Sequence, residues 1–576
     1  MEKIIVLERF KAWQAADIPD YLRKDLQSIE GDSKEIEERF YQYMQFGTGG
    51  VRGLLGAGTN RMNVYTIRRV AYGLARYVTS FGEEAKQRGV AIAYDTRHFS
   101  YEFALETACV LGAVGVRSFV FSESRPTPEL SFAVRHLGTV AGVVITASHN
   151  PKTYNGFKVY GEDGAQLTSV GANAIVSYMH EIEDLFAVEL TNFEQLQLDG
   201  ISTFMLDEID EAYSACLSYL QERSDVEVAK DLSIVYTPLH GAGLVPIMQG
   251  LSALGFSEVT VVTEQAAQDG AFPTVCYPNP EDVAAFKLAM MLGKEKEAEL
   301  LLATDPDADR LGVAVRDGDG YKLLTGNQLG ALLLQYILQA KSEKGTLTPN
   351  SVMLKTIVTS ELGAAVAKAF GVATVNTLTG FKYIAEKIEQ FEQTGEHSFV
   401  FGYEESYGYL IQKFVRDKDA VQVALATAEM AGYYAKQGKT LLHALDDLYE
   451  QFGYYKEALE SHVFEGQAGR KQMKGILESF RANVPLTLAG VEVVSVEDYL
   501  SGEAKLADGS IEVLKLPKEN VLKYMLADGS WVAIRPSGTE PKCKFYFGVV
   551  GKNRDVAADK LLQLQQAINQ QIEVFL

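Results

Sequence analysis

Cysteine is scarce. The chain has four in 576 residues, Cys109, Cys216, Cys276 and Cys543, far apart and in no CxxC pair. This excludes a disulfide-stapled scaffold and reads as reduced thiols used for packing, the habit of a cytoplasmic protein. Long hydrophobic runs are also missing: nothing approaches the roughly 18 apolar residues of a membrane span. The first sixteen residues carry only Ile4-Ile5-Val6-Leu7 as an apolar run, set among charges, and do not read as a secretion signal. Positive charge is in deficit, 54 Lys and Arg against 76 Asp and Glu, for a net charge of −22. Nucleic-acid binding rests on neutralising phosphates with Lys and Arg, so no nucleic-acid partner is expected, and no membrane partner either. An acidic chain that takes an anionic ligand must gather its cations locally. Low-complexity linkers are absent as well, so domain boundaries carry no compositional mark.

What is there reads as a globular protein, 47% hydrophobic and 23% charged. The length implies about three to five domains. Short apolar runs such as Val90-Ala91-Ile92-Ala93-Tyr94, and those at 140–145, 233–236, 259–262, 299–303, 352–358 and 398–401, read as buried strands. Amphipathic stretches between them, for example 204–223 and 421–437, read as helices. Strands separated by helices imply βαβ units and mostly parallel sheets, with ligands at the carboxyl ends of the strands. Three times a strand-like run ends in a polar loop: Thr146-Ala147-Ser148-His149-Asn150-Pro151, Thr304-Asp305-Pro306-Asp307-Ala308-Asp309-Arg310, and Gly402-Tyr403-Glu404-Glu405-Ser406. Each follows an earlier strand ending in a turn, at 94–97, 236–240 and 356–360. The pattern predicts three related α/β domains, each aiming one loop at a shared cleft. From about Lys456 a helix over 469–482 and strand-like runs up to Trp531-Val532-Ala533-Ile534-Arg535 predict a smaller α+β domain.

The loops carry chemistry. Asp305, Asp307 and Asp309 alternate in a turn and can converge on one hard divalent cation. An EF-hand shares that opening but would need Gly and Glu where Arg310 and Arg316 stand. The plain alternative, a solvated acidic turn, conflicts with the flanking apolar runs at 301–303 and 311–315. Arg310, next to the acids, suits a phosphate oxygen. Ser148 lacks a G-x-S-x-G elbow, so an acyl-transfer hydrolase is disfavoured. On spacing alone it is a nucleophile or an ordinary turn residue, and His149 is equally open. Asn155 and Lys158 add a polar turn and a cation downstream. Arg535-Pro536-Ser537-Gly538-Thr539 combines small residues, hydroxyls and a guanidinium, as an anion cradle or a plain turn would. Phe46-Gly47-Thr48-Gly49-Gly50-Val51-Arg52-Gly53 is a second glycine-rich segment with an arginine. Glu404 and Ser406 could grip sugar hydroxyls or form a polar loop, while Thr379-Gly380-Phe381-Lys382 and Arg416-Asp417-Lys418-Asp419 supply further cations or a solvated charged face.

Together these motifs resemble the α-D-phosphohexomutase family over nearly the whole chain and in the family's order. Residues 146–151 are similar to its phosphoserine loop, 305–310 to its magnesium loop with Pro306 in place of the common Gly, 402–406 to its sugar loop with Tyr403 interposed, 535–539 to its phosphate loop, and 46–53 to its F-G-T-x-G-x-R-G segment. The resemblance is nearest to the phosphoglucomutase branch that includes long bacterial and phosphopentomutase-like members. It implies an α/β protein of three similar domains with mixed sheets plus a smaller C-terminal α+β domain around a central cleft. The expected boundaries are 1–204, 205–320, 321–455 and 456–576, holding in turn the phosphoserine, metal, sugar and phosphate loops.

The resemblance further implies that Ser148 is phosphorylated at rest and that Mg²⁺ is held by Asp305, Asp307, Asp309 and a phosphoserine oxygen. The phosphoryl group would pass to glucose 1-phosphate, and glucose 1,6-bisphosphate would be both intermediate and activator. Lys158 is the first candidate acid or base, with His149 and Lys418 behind it. A lysine in that role needs a lowered pKa, which nearby cations could supply. Arg52, Thr379, Gly380, Lys382, Glu404, Ser406, Lys418, Arg535, Ser537, Gly538 and Thr539 would bind the substrate, with the cations forming a positive lining inside an acidic shell. The alternatives are a mannose or pentose phosphate, synthesis of the bisphosphate itself, a metal-dependent phosphatase, or a non-catalytic phosphosugar-binding protein. The oligomeric state is left open.

Overall fold

The computed structural model describes residues 2–47, 49–464, 466–536 and 542–573. It divides into two compact units that do not follow chain order. One comprises Met1–Leu324, Ala385–Thr394 and Tyr407–Gly438; the other comprises Thr325–Ile384, Gly395–Ser406 and Lys439–Leu576. No described helix is long and apolar enough to cross a membrane.

The first unit holds two sheets. In one, β1 (Gly50–Leu54), β2 (Val90–Tyr94), β3 (Ser118–Phe121), β4 (Ala141–Ile145), β5 (Tyr154–Gly161) and β6 (Ser202–Met205) run in the order β1-β5-β4-β2-β3-β6. Strands β4, β2, β3 and β6 are mutually parallel; β5 and β1 add on antiparallel. All five residues of β2 and of β4 are buried, as expected where helices cover both faces of a parallel core. The crossover helices are Ser100–Ala113 and Thr127–Leu137. The second sheet, from β7 (Ile234–Thr237), β8 (Val259–Val261), β9 (Leu300–Thr304), β10 (Leu311–Asp317) and β11 (Gly320–Leu323), has the order β11-β10-β9-β7-β8. Again β8, β7 and β9 are parallel and β10 turns back antiparallel.

In the second unit β12 (Ser351–Thr356) lies between β13 (Ala373–Thr377) and β14 (Ser398–Tyr403), all parallel. The threefold recurrence is therefore topological: β2, β7 and β12 each sit between their two successors. Ser148, Asp305 and Glu404 each follow the third strand of their set. The C-terminal part is an antiparallel sheet built on the ten-residue pairing of β15 (Tyr454–Val463) with β17 (Lys542–Gly551), with β16 (Trp531–Pro536) on the other side of β17. Phe480, Phe545, Phe547, Leu564 and Ile568 lie in its core.

Local expectations fail where tertiary pairing overrides periodicity. The stretch read as a helix over 204–223 gives Phe204 and Met205 to β6, which pairs with β3, and its α-helix is Asp207–Leu217. The strand read to Val358 stops at Thr356: Ile357 keeps one bond to Thr377 at 2.9 Å, and it and Val358 belong to the apolar cluster of Trp531 and Tyr546.

Candidate active site

Ser148 sits in the loop between β4 and β5, is 3% exposed and has φ +51°, a left-handed conformation that costs a non-glycine residue about 1–3 kcal/mol. Several contacts hold it there. Its N–H donates to Thr146 Oγ1 at 2.8 Å, and Thr146 Oγ1 donates to Asp95 Oδ2 at 2.7 Å. Asp95 directly follows β2 and also accepts from Ser100 Oγ at 2.7 Å. The Ser148 hydroxyl donates to Asp305 Oδ2 at 2.5 Å and lies 3.2 Å from His149 Nδ1.

The aspartate loop folds back on its first member. Asp305 Oδ1 accepts from the N–H groups of Asp309 and Arg310 at 3.1 and 3.0 Å. The turn after β7 presses on this loop. A Cβ at Gly241 would come within 2.5 Å of Pro306 Cα, and one at Gly243 within 2.9 Å of Thr304 Oγ1, so neither position admits a side chain. Asp305, Asp307 and Asp309 are buried, with one ligand oxygen from each within 4.8 Å of the others. Burial and the neighbouring charges of Asp307 and Asp309 push the Asp305 carboxyl well above the usual range. Asp307 Oδ1 and Asp309 Oδ1 are buried and find no hydrogen-bond donor among the described residues. Three converging carboxylates that also carry two orphaned oxygens fit a divalent cation of the Mg²⁺ type.

Cations surround the acids. Lys158, on β5, places Nζ 2.9 Å from Asp307 Oδ2 and 3.4 Å from Asp309 Oδ2. Lys418 Nζ lies 3.2 Å from Asp309 Oδ2 and 3.0 Å from Asp417 Oδ1, and Tyr160 donates to the other Asp417 oxygen at 2.7 Å. Arg310 donates to Glu281 Oε1 at 2.5 Å, with Nε 3.8 Å from Asp309 Oδ1. Arg52, on β1, donates to Asn150 Oδ1 in the serine loop at 3.0 Å. Half-buried His149 is held well below its ordinary pKa by burial, then by Arg310 and Arg52. Lys158 departs from the sequence-based expectation. Burial would lower its ammonium, but the carboxylates of Asp307 and Asp309 outweigh that and carry it above its ordinary value. The nearby cations Lys418 and Arg52 do act to lower it, but the two acids weigh more.

Other expected site residues belong to the second unit. Glu404 Oε1 accepts the Gly380 N–H at 2.9 Å, which brings the 379–382 turn and the end of β14 together. Thr356 and Thr359 each donate to Glu405 Oε2 at 3.3 Å. Buried Lys382 lies 4.8 Å from the Tyr383 ring centre, and buried Thr379 Oγ1 finds no partner among the described residues. Ser406 is half-buried beside Glu405. The buried Tyr546 phenol feels the charges of Glu405, Arg535 and Glu404. Ser537, Gly538 and Thr539, expected to bind phosphate, lie outside the described residues, as does Thr48.

Several contributors escaped sequence reasoning. Thr127 opens a helix of the first sheet and donates through Oγ1 to Asp307 Oδ2 at 2.8 Å. Asp95, Arg97 and Thr146 brace the serine loop. The turn at 94–97 stands out in sequence only as a strand end; its recurrence after β7 and β12 was the available signal.

Four family models cover successive parts of the chain. Those for phosphoglucomutase/phosphomannomutase α/β/α domains I, II and III match residues 43–185, 211–318 and 325–452, and that for the C-terminal domain matches 490–558. The chain is 38% identical over 547 residues to a phosphoglucomutase of Staphylococcus saprophyticus, covering 95% of this chain and 97% of that one. It is 39% identical over 531 residues to a phosphoglucomutase of Staphylococcus epidermidis, covering 92% and 95%. Among solved structures, the exocytosis-sensitive phosphoprotein pp63/parafusin from Paramecium superposes with TM-score 0.68 at 18% identity, over 93% of this chain and 96% of that one, and bears on the fold alone. With a buried serine set against an aspartate triad in the first two matched domains, the chain belongs to the phosphoglucomutase/phosphomannomutase family of α-D-phosphohexomutases.

Proposed function

We propose that this chain is a phosphoglucomutase that interconverts glucose 1-phosphate and glucose 6-phosphate through a phosphorylated Ser148 and a glucose 1,6-bisphosphate intermediate. The observation that carries the reading is the 2.5 Å contact of Ser148 Oγ with Asp305 in a cluster of three buried carboxylates. The near full-length identity to two phosphoglucomutases supports glucose as the sugar.

Asp305, Asp307, Asp309 and the Ser148 side chain would hold Mg²⁺, which when bound supplies positive charge against the oxygens of the transferring phosphoryl group. Ser148 Oγ gives its phosphoryl group to the 6-hydroxyl of glucose 1-phosphate and later takes the 1-phosphoryl group back. Lys158 is assigned the proton exchange with the sugar hydroxyl. Its ammonium, held by Asp307 and Asp309, can give a proton to the departing Ser148 oxygen, and the neutral amine left behind can then take one from a sugar hydroxyl. His149 and Lys418 are the second choices. Arg310 is assigned to the phosphoryl oxygens, which requires exchanging its Glu281 partner for phosphate. Arg52 and Lys418 are assigned to substrate anions, Glu404 and Ser406 to sugar hydroxyls, Thr379, Gly380 and Lys382 to substrate, and Arg535, Ser537, Gly538 and Thr539 to the phosphate that stays. Four domains with boundaries near 204, 320 and 455 remain part of the proposal. So does a cytoplasmic location, which the four free thiols support.

The test is isomerisation by the purified chain of glucose, mannose and ribose monophosphates, each with Mg²⁺ and with or without the sugar bisphosphate. Glucose 1-phosphate should be converted fastest and need the bisphosphate for full rate. A preference for mannose or ribose would replace the substrate. Phosphate release without isomerised sugar would replace the reaction.

A further inference from the structure

Arg97, outside the set of residues to which a substrate or metal role was assigned, grips the backbone of the serine loop. Its side chain is wholly buried. One terminal nitrogen, Nη1, donates to the carbonyls of Pro151 and Tyr154 at 2.8 and 3.2 Å. The other, Nη2, donates to the carbonyls of Ser148 and Asn150. Four N–H groups thus meet four carbonyls of one loop. Nε faces Asp95 Oδ2 at 3.1 Å, and the guanidinium lies 4.9 Å from the Phe272 ring centre. Asp95 in turn accepts the Thr146 hydroxyl that holds the Ser148 N–H.

Resting on the phosphoserine reading above, we propose that Arg97 is a positioning residue for phosphoryl transfer: its planar fork fixes the 148–154 backbone so that the Ser148 oxygen stays aimed at Asp305 in a left-handed conformation the chain would otherwise leave. Only a guanidinium supplies two parallel pairs of donors in one plane; a lysine has three donors on one nitrogen and cannot span carbonyls from four residues. Misplacement of a reacting atom by about 1 Å costs about 100-fold in rate, without requiring any loss of substrate affinity. The effect belongs in kcat, because Arg97 is aimed at the loop backbone and its bonds are already made before substrate binds.

The experiment compares wild type, Arg97→Met, Arg97→Lys and Thr146→Val as full-length proteins with Mg²⁺ and saturating glucose 1,6-bisphosphate. Three quantities are read: kcat and KM for glucose 1-phosphate, the ratio of inorganic phosphate released to sugar isomerised, and the thermal midpoint. Arg97→Met should lose about 100-fold in kcat with KM within about threefold, and should leak phosphate to water more often per turnover. Arg97→Lys should restore little of the rate, and Thr146→Val should lose about 10-fold in kcat by loosening the same brace. A folded Arg97→Met with kcat near wild type, or with the loss confined to KM, overturns the proposal. Should Arg97→Met not fold, Thr146→Val decides: unchanged kcat and unchanged phosphate leak overturn it. Wild-type protein without mutase activity would instead refute the functional reading, which separates the two failures.

Discussion

The Ser148 hydroxyl donates to Asp305 Oδ2 across 2.5 Å, joining two strand-end loops 157 residues apart in sequence. An alanine there keeps the loop but removes the oxygen that faces Asp305. Ser148→Ala is therefore expected to fold normally and to lose at least about 1,000-fold in multiple-turnover kcat. Intact mass of wild-type protein should show a population heavier by one phosphate, reduced by excess sugar monophosphate and missing from the variant. Near wild-type turnover by Ser148→Ala would end the assignment.

Metal dependence follows from the two orphaned carboxylate oxygens on Asp307 and Asp309. Chelation should abolish activity and added Mg²⁺ should return it. Asp307→Asn keeps the shape of the side chain but weakens its hold on both a cation and Lys158, so activity at fixed Mg²⁺ should fall about 100-fold. Higher Mg²⁺ should recover part of the loss. A chelated wild type that keeps full activity would remove the metal from the reaction.

The three loops were legible because each breaks an apolar strand with residues that a buried strand end tolerates only for a reason. Asp305, Asp307 and Asp309 between 301–303 and 311–315 are the clearest case. The parallel cores were legible from unbroken apolar runs such as 90–94. What the sequence hid is what other segments bring to those loops. Lys418 reaches Asp309 from a segment more than 100 residues downstream, and Thr127 reaches Asp307 from a helix start 180 residues upstream. Nothing in the local pattern of either residue reports its partner. Arg97 reads as a turn residue until its four carbonyl partners are seen. The raised pKa of Lys158 is hidden for the same reason: its sequence neighbours do not include the two aspartates that hold its proton.

Lys158 and His149 compete for the proton role, and substitution separates them. Lys158→Met should lower kcat by about 100- to 10,000-fold, the usual range for removing a general acid or base. His149→Gln, which keeps a hydrogen-bonding group near Ser148, should cost less than about 10-fold if that order is right. The reverse ranking, in proteins of equal thermal midpoint and equal phosphoserine content, would move the role to His149.

Lys523 gives a stability prediction independent of catalysis. It is 3% exposed, donates to the Ile357 carbonyl at 2.8 Å, and sits 4.9 Å from the Trp531 ring centre. Burial, then the charge of Lys355, lowers its pKa from 10.5 to about 8. A folded-state pKa below the unfolded one means that the folded protein prefers the neutral amine. The group imposes no penalty above pH 10.5. As pH falls from there to about 8 the unfolded chain takes up the proton alone and stability is lost, and below 8 the loss levels off at about 3 kcal/mol. Lys523→Met removes this titration. It also removes the donor to Ile357, but that cost does not vary with pH. The unfolding free energy of wild type minus that of Lys523→Met should therefore rise by about 2 kcal/mol between pH 7 and pH 10. The chain has two tryptophans, Trp13 and Trp531, so placing Trp13→Phe in both proteins makes denaturant unfolding by fluorescence report this domain. A difference that stays flat between the two pH values would show that Lys523 keeps an ordinary pKa in its buried site.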